Sequence, residues 1–161
     1  MIKIIAVGKM KKFQSEVNNY LKQLSHNVQV IEVKDESLEE NIVKEEKAIF
    51  KNLKEDSYVI LLDIKGELLD SIEFSKKLDY LITTYKEVVF IIGGSFGVTE
   101  AIKHRANERI SFSPLTFPHQ LMRLIFVEQL YRAFKIKLNH PYHKWSLWRL
   151  NICFGILMGQ F

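Results

Sequence analysis

The chain of 161 residues contains one cysteine, Cys153, so no internal disulfide can form. A single thiol also excludes a metal site built from several cysteines, and we expect no bound metal. The N-terminal residues 1–8 form too short an apolar run for a signal peptide and carry no cleavage-like pattern. This composition suits a reducing compartment, and we expect a cytoplasmic protein with no attachment to a membrane.

Acidic residues are scarce in the last part of the chain. Residues 101–161 contain nine lysines and arginines but only two acids, Glu108 and Glu128, which gives a charge of +7. Because the whole chain carries +4, residues 1–100 carry −3. This asymmetry indicates a polyanionic partner, with nucleic acid favoured over a membrane surface. The alternative is a chance cluster of solvated lysines.

Internal repeats, low-complexity segments and linkers are absent, and the length suits a single domain. Apolar runs of strand type alternate with helix-type spacing, which predicts an α/β fold with a mostly parallel sheet and helices on both faces. Capping patterns at Ser37 to Glu40 and Asp70 to Glu73 predict two helix starts. The predicted strands are residues 2–7, 28–33, 58–64, 88–92 and 110–112, of which the apolar fourth is expected to be central.

The segment 120–138 predicts a long helix whose apolar side chains cover most of its circumference. A domain of this size can bury only one side of such a helix. We therefore expect a homodimer in which a second subunit covers the other side.

Glycines follow the predicted fourth strand in the sequence Gly93-Gly94-Ser95-Phe96-Gly97. Loops at the carboxyl ends of parallel strands commonly bind ligands, and glycine lets the backbone approach them. Two other interpretations remain: a tight turn without a ligand, or the nucleophile elbow of a serine hydrolase at Ser95. The hydrolase is disfavoured because no aspartate follows Asp79 and an oxyanion-type glycine run is missing.

A second loop, residues 111–120, contains two prolines that stiffen the connection between the fifth strand and the long helix. Its side chains Phe112, Leu115 and Phe117 suggest an apolar slot for a flat ring such as adenine. His119 at the start of the helix fits a cap or a packed imidazole equally well.

The third group is basic and aromatic. Arginine suits bidentate phosphate contacts, while tyrosine and histidine can stack on a displaced base, so this composition is typical of RNA binding. A solvated basic helix end is the alternative. The residues predicted to contact RNA are Arg123, Lys135, Lys137, His140 and Lys144.

Taken together, these segments resemble the SPOUT class of RNA methyltransferases, in the branch that acts on the large ribosomal subunit. The resemblance covers residues 1–144 as one domain and leaves 145–161 as an atypical apolar tail. The matching motifs are Val7-Gly8-Lys9, Leu62 to Gly66, Ile92 to Gly97, Ser111 to Ser113 with Leu115 to His119, Glu128 to Ala133, and His140 to Lys144.

The resemblance implies a deep trefoil knot in the C-terminal half, a homodimer, and S-adenosylmethionine as cofactor. It also implies methylation of N3 of a pseudouridine in 23S rRNA within the ribosome. The alternative is an RNA- or ribosome-binding module without catalysis. By position, the implied catalytic residues are Arg132, Tyr142, His143 and Glu128, with His143 as candidate base. The implied cofactor contacts are Leu62, Gly93, Gly94, Phe112, Ser113, Pro114, Leu115, Thr116 and Phe117.

Overall fold

The computed structural model describes residues 1–24 and 26–142. The predicted site residues His143 and Lys144, and the tail 145–161, lie outside the described residues.

A parallel sheet of five strands forms the centre of the fold, in the order β2-β1-β4-β3-β5. All five residues of β4 are buried, because the strand lies between two others and both faces of the sheet are covered. The α/β class and the central position of the fourth strand are confirmed. The strands are β1 (Ile2–Val7), β2 (Val28–Val33), β3 (Tyr58–Leu68), β4 (Val88–Ile92) and β5 (Glu108–Ser111).

Helices cover both faces of this sheet. One core joins it to α1, α3 and α5 through residues such as Val17, Phe74 and Phe126. The second core joins it to α2 and α4 through Ile49 and Ile102. The helices are α1 (Gln14–Lys22), α2 (Ile42–Lys51), α3 (Ser71–Thr84), α4 (Glu100–Arg105) and α5 (His119–Lys137).

Of the two capping patterns, only the second acts as predicted. Asp70 accepts hydrogen bonds from the amides of Ile72 and Glu73, and the Glu73 side chain accepts from the Asp70 amide. The prediction at Ser37 is wrong. A short 3-10 helix, Glu39–Asn41, begins after an extended Leu38 that makes no side-chain cap, and Ser37 lies outside it.

β3 runs beyond the predicted end at residue 64 because it continues to pair with β5 after a register shift. Ile110 pairs with Leu62 before the shift and with Glu67 after it. At Gly66 the strands approach so closely that a Cβ atom would lie 2.5 Å from the backbone of Ile110. This pairing fixes the direction in which the chain leaves β5.

The implied trefoil knot stays a prediction.

Candidate active site

A cavity of about 890 Å³ lies at the sheet edge where the parallel strands end. Ligand sites of α/β proteins form at this edge, because the loops that follow different strands meet there. Its walls come from the ends of β3 and β4, the glycine loop 93–97, α4, β5, the loop 112–118, and the first turn of α5.

The cavity brings together nearly all residues that the resemblance implied for cofactor binding. Pro114 is the exception: it is exposed and does not line the cavity, so its part is limited to the shape of the loop. The lining members of the implied set are Leu62, Gly93, Gly94, Phe112, Ser113, Leu115, Thr116 and Phe117.

Glycine was expected in this loop because it lets the backbone approach a ligand, but the structure gives a different reason for it. A Cβ atom on Gly94 would lie 2.8 Å from Val7 Cγ1 and 3.1 Å from Asp35 Oδ1. A Cβ atom on Gly93 would lie 2.9 Å from the carbonyl oxygen of Gly97. Both glycines therefore allow the loop to pack against the protein behind it, which holds the loop backbone in the cavity wall.

Local hydrogen bonds shape the second loop. The Ser111 hydroxyl donates to the carbonyl of Ser113 at 3.0 Å, and the Ser113 hydroxyl accepts from the Leu115 amide at 3.0 Å. The Phe112 ring packs against Phe74 and Phe126, with centroids 5.6 and 6.1 Å apart. Phe112 thus anchors the loop to the core as well as lining the cavity.

Asp63, Arg109 and His119 are among the polar cavity residues that were missed as ligand contacts. Asp63 and Arg109 form an ion pair across β3 and β5, with Oδ2 and Nη1 3.5 Å apart. His119 also lines the cavity, so neither a cap nor a core imidazole describes it fully. The Leu62 to Gly66 motif already contained Asp63, but only the pairing of β3 with β5 shows that Arg109 faces it.

A second cluster surrounds Glu128 on α5. Arg132 Nη2 donates to Glu128 Oε1 at 2.5 Å, and the Tyr142 hydroxyl donates to the same oxygen at 3.0 Å. The Arg132 guanidinium lies over the Tyr142 ring, 4.9 Å from its centroid. Burial raises the pKa of the Tyr142 phenol, and hydrogen bonds with Tyr20 and Glu128 raise it further. Tyr142 is therefore protonated at neutral pH.

Within one chain, the Glu128 cluster and the cavity are far apart. His119 begins α5 at the cavity, and at a rise of about 1.5 Å per residue Arg132 lies about 20 Å further along the helix axis. The structure does not bring Glu128, Arg132 and Tyr142 together with the implied cofactor contacts in a single subunit, and His143 lies outside the described residues.

The family model described as "Predicted SPOUT methyltransferase" matches residues 1–143. The chain belongs to the SPOUT methyltransferase family.

Close relatives support this membership. A protein of Acholeplasma laidlawii, "Ribosomal RNA large subunit methyltransferase H", is 46% identical over 145 residues, covering 89% of this chain and 99% of the relative. A Caldicellulosiruptor saccharolyticus protein of the same name is 45% identical, with 89% and 100% covered. In Methanococcus vannielii, a "Putative ribosomal RNA large subunit methyltransferase H" is 45% identical, with 89% and 99% covered.

The cavity suits the methyl donor that a SPOUT methyltransferase requires. Its volume of about 890 Å³ lies in the range of roughly 300–1,000 Å³ found for small-molecule sites. Apolar walls from Leu62, Ile92 and Phe117 fit a flat ring, while Asp63 and Arg109 offer polar partners. The residues present therefore fit a nucleoside that carries a charged tail.

The prediction that Arg123 contacts RNA is wrong. Its side chain is 1% exposed, because the guanidinium reaches inward to Glu32 and to the carbonyls of Val7 and Gly8. In a helix with both core and surface positions, an arginine side chain can lie in the core or at the surface. No local signal in the sequence indicated that Arg123 lies in the core.

Three other predicted RNA contacts of this SPOUT methyltransferase, Lys135, Lys137 and His140, lie around the end of α5. Lys137 pairs with Asp79, and Lys135 Nζ lies 5.0 Å from the centroid of the Tyr131 ring. His140 is exposed, and its Nδ1 accepts from the Tyr142 amide at 3.2 Å. Their contacts with RNA stay a prediction.

Two features are absent from the described ranges, 1–24 and 26–142. None of the helices there is long and apolar enough to cross a membrane. In the same ranges, no group of three or more His, Cys, Asp or Glu side chains is placed to hold a metal ion.

Proposed function

We propose that the chain uses S-adenosylmethionine to methylate N3 of a pseudouridine in the 23S rRNA of the large ribosomal subunit. Family membership supports the methyl transfer, and the names of the relatives support large-subunit rRNA as the substrate. The observation that carries the proposal is the single cavity formed by the glycine loop and the loop 112–118.

Binding of the donor is assigned to this cavity. The apolar side chains Leu62, Leu115 and Phe117 would enclose the adenine ring. Asp63 and Arg109 would meet the polar tail of the donor through hydrogen bonds and charge. When bound, S-adenosylmethionine supplies an electrophilic methyl group on its sulfonium.

Acceptance of the methyl group requires loss of the N3 proton and control of charge on the uracil ring. Arg132 would hold an RNA phosphate or stabilise negative charge on a carbonyl oxygen of the base. Glu128 accepts hydrogen bonds from both Arg132 and Tyr142, so it fixes the direction in which each points. His143 is the proposed proton acceptor, since a histidine has an ordinary pKa of about 6.5, near working pH.

A homodimer would bring the two halves of the site together. Leu121, Ile125, Glu128 and Arg132 follow one another at helical spacing on one side of α5, and all four are only partly buried. If two copies of α5 pack antiparallel about a two-fold axis, the Arg132 end of one helix lies beside the His119 end of the other. The Glu128 cluster of one subunit would then complete the cavity of its partner.

Two measurements test the proposed function. Calorimetric titration with S-adenosylmethionine should show saturable binding, and mass spectrometry of 23S rRNA from cells lacking the protein should show one pseudouridine without its methyl group. Absence of heat at high donor concentration, together with fully methylated rRNA, would overturn the proposal. RNA binding without donor binding would instead support a ribosome-binding module.

A further inference from the structure

A short basic turn follows β1 at the edge of the cavity. Three of the four residues 9–12 are lysines, although residues 1–100 as a whole carry net negative charge. Lys9, Lys11 and Lys12 are exposed, whereas Met10 between them is buried. We call residues 9–12 the lysine turn.

The lysine turn borders the candidate active site. Gly8, which precedes it, has φ +87°, and a Cβ atom there would lie 3.2 Å from His119 Nε2. His119 lines the cavity, and the next residue, Gln120, accepts hydrogen bonds from the Lys11 and Lys12 amides at 3.0 and 3.1 Å. The turn is therefore fixed to the same end of α5 that closes the cavity.

Further hydrogen bonds fix the backbone of the turn. The Met10 amide donates to Glu32 Oε1 at 2.8 Å, and the Gly8 amide donates to the carbonyl of Val33 at 2.8 Å. The buried Arg123 guanidinium donates to the Gly8 carbonyl at 2.5 Å. A backbone held in this way keeps the charges in one place, so a partner does not have to order them on binding.

The lysine side chains form no ion pairs with the part of the chain that the structure describes. Across residues 1–24 and 26–142, no carboxylate lies within ion-pairing distance of Lys9, Lys11 or Lys12. By contrast, Lys103 and Arg109 at the cavity are paired with Glu100 and Asp63. Three unpaired cations on a fixed turn form a surface for successive phosphates of a nucleic-acid backbone.

We propose that the lysine turn binds the phosphate backbone of the RNA substrate and holds the strand beside the cavity. This inference rests on the proposed function, because it assigns a second contact surface for the same substrate. It adds an N-terminal contact to those predicted at the C-terminal end of α5. The expected contribution is to RNA affinity and its salt dependence, and not to donor binding.

The test compares two triple variants of the full-length protein by fluorescence anisotropy with a labelled RNA stem-loop. The first, K9Q/K11Q/K12Q, removes the charges of the turn. The matched control, K22Q/K51Q/K86Q, removes three exposed charges at the opposite edge of the sheet, where α1 and α2 end and β4 begins. Affinity is measured over a series of salt concentrations, and S-adenosylmethionine binding is measured separately by calorimetry.

For the turn variant, we expect the slope of log affinity against log salt to become shallower by about 2 to 3, with donor affinity unchanged. The control variant should keep nearly the slope of the unaltered protein. Equal slopes in the two variants would overturn the inference, as would failure of the unaltered protein to bind the RNA at low salt. Neither result would overturn the proposed function, which depends on donor binding and on methylation of rRNA.

Discussion

Arg123 on α5 and Glu32 on β2 form an ion pair beneath the candidate active site, with Nη1 and Oε1 2.6 Å apart. The same guanidinium donates to the carbonyl of Gly8 at 2.5 Å, and Glu32 also accepts from the Met10 amide. One buried arginine therefore joins the ends of β1 and β2 to the start of α5. Because the first turn of α5 lines the cavity, this contact positions a wall of the site.

Replacement of Arg123 by methionine should destabilise the protein. The change leaves Glu32 without its cationic partner and the Gly8 carbonyl without the guanidinium donor, and we expect a loss of about 2 to 3 kcal/mol in free energy of unfolding. The loss should lie below that of a fully buried pair because Glu32 is 34% exposed. Urea unfolding measures it. Lys103→Gln, which breaks an exposed pair with Glu100, is the control and should cost at most about 1 kcal/mol. Equal losses would contradict the assigned role.

Gly94→Ala should impair donor binding while leaving the fold in place. The new methyl group would lie 2.8 Å from Val7 Cγ1, so the glycine loop must move away from Val7 and into the cavity. A displacement of this kind should weaken donor affinity at least about ten-fold, measured by calorimetry. Ser95→Ala on the same loop is the control, because Ser95 is exposed and should tolerate the change. An equal loss of donor affinity in Ser95→Ala would contradict the role assigned to Gly94.

Arg132→Ala should reduce methyl transfer by about 100-fold or more while donor affinity stays unchanged. The reason is that Arg132 is proposed to act on the RNA, whereas the donor is assigned to the residues that line the cavity, and Arg132 is not among them. Single-turnover rates and calorimetry separate the two effects. Lys137→Ala, which removes a more exposed cation on the same helix, is the matched control and should change the rate far less. An Arg132→Ala enzyme with a normal rate would remove Arg132 from the mechanism.

Acid should destabilise the protein partly through Glu87. Burial alone would raise the pKa of this carboxyl, but hydrogen bonds from Ser57 and Lys3 and the charge of Lys3 outweigh it, so the pKa lies below 4.5. Its contribution to stability is therefore complete above the ordinary carboxyl pKa and is lost as pH falls through the lowered value. Glu87→Gln should lower stability at neutral pH and flatten the acid limb of the pH–stability curve, whereas Glu40→Gln at an exposed position should not. If the pH–stability curve of Glu87→Gln runs parallel to that of the unaltered protein in acid, this assignment is contradicted.

Local patterns in the sequence predicted much of the fold. Asp70 and Glu73 specify a helix start through bonds within four residues, and the apolar run 88–92 requires burial on both faces. The glycine loop was placed correctly because it directly follows that strand. These features depend on neighbours in the chain, which periodicity and capping rules describe.

The missed features depend on contacts between distant segments. Arg109 faces Asp63 only because β5 pairs with β3, and Arg123 points inward because it meets Glu32, 91 residues earlier. The lysine turn is held at the cavity by hydrogen bonds to Gln120, more than 100 residues away in the sequence. Distances of this kind require the structure.

The most direct test of the central claim mixes two impaired variants, Gly94→Ala and Arg132→Ala, under conditions that exchange subunits and at a donor concentration too low to saturate Gly94→Ala. If each cavity is completed by Arg132 of the partner subunit, half of the dimers contain one chain of each kind, and each of these has one intact site. We therefore predict recovery of about one quarter of the unaltered methyl-transfer activity in an equal mixture. A mixture that forms mixed dimers but stays inactive would contradict a site shared across the two-fold axis.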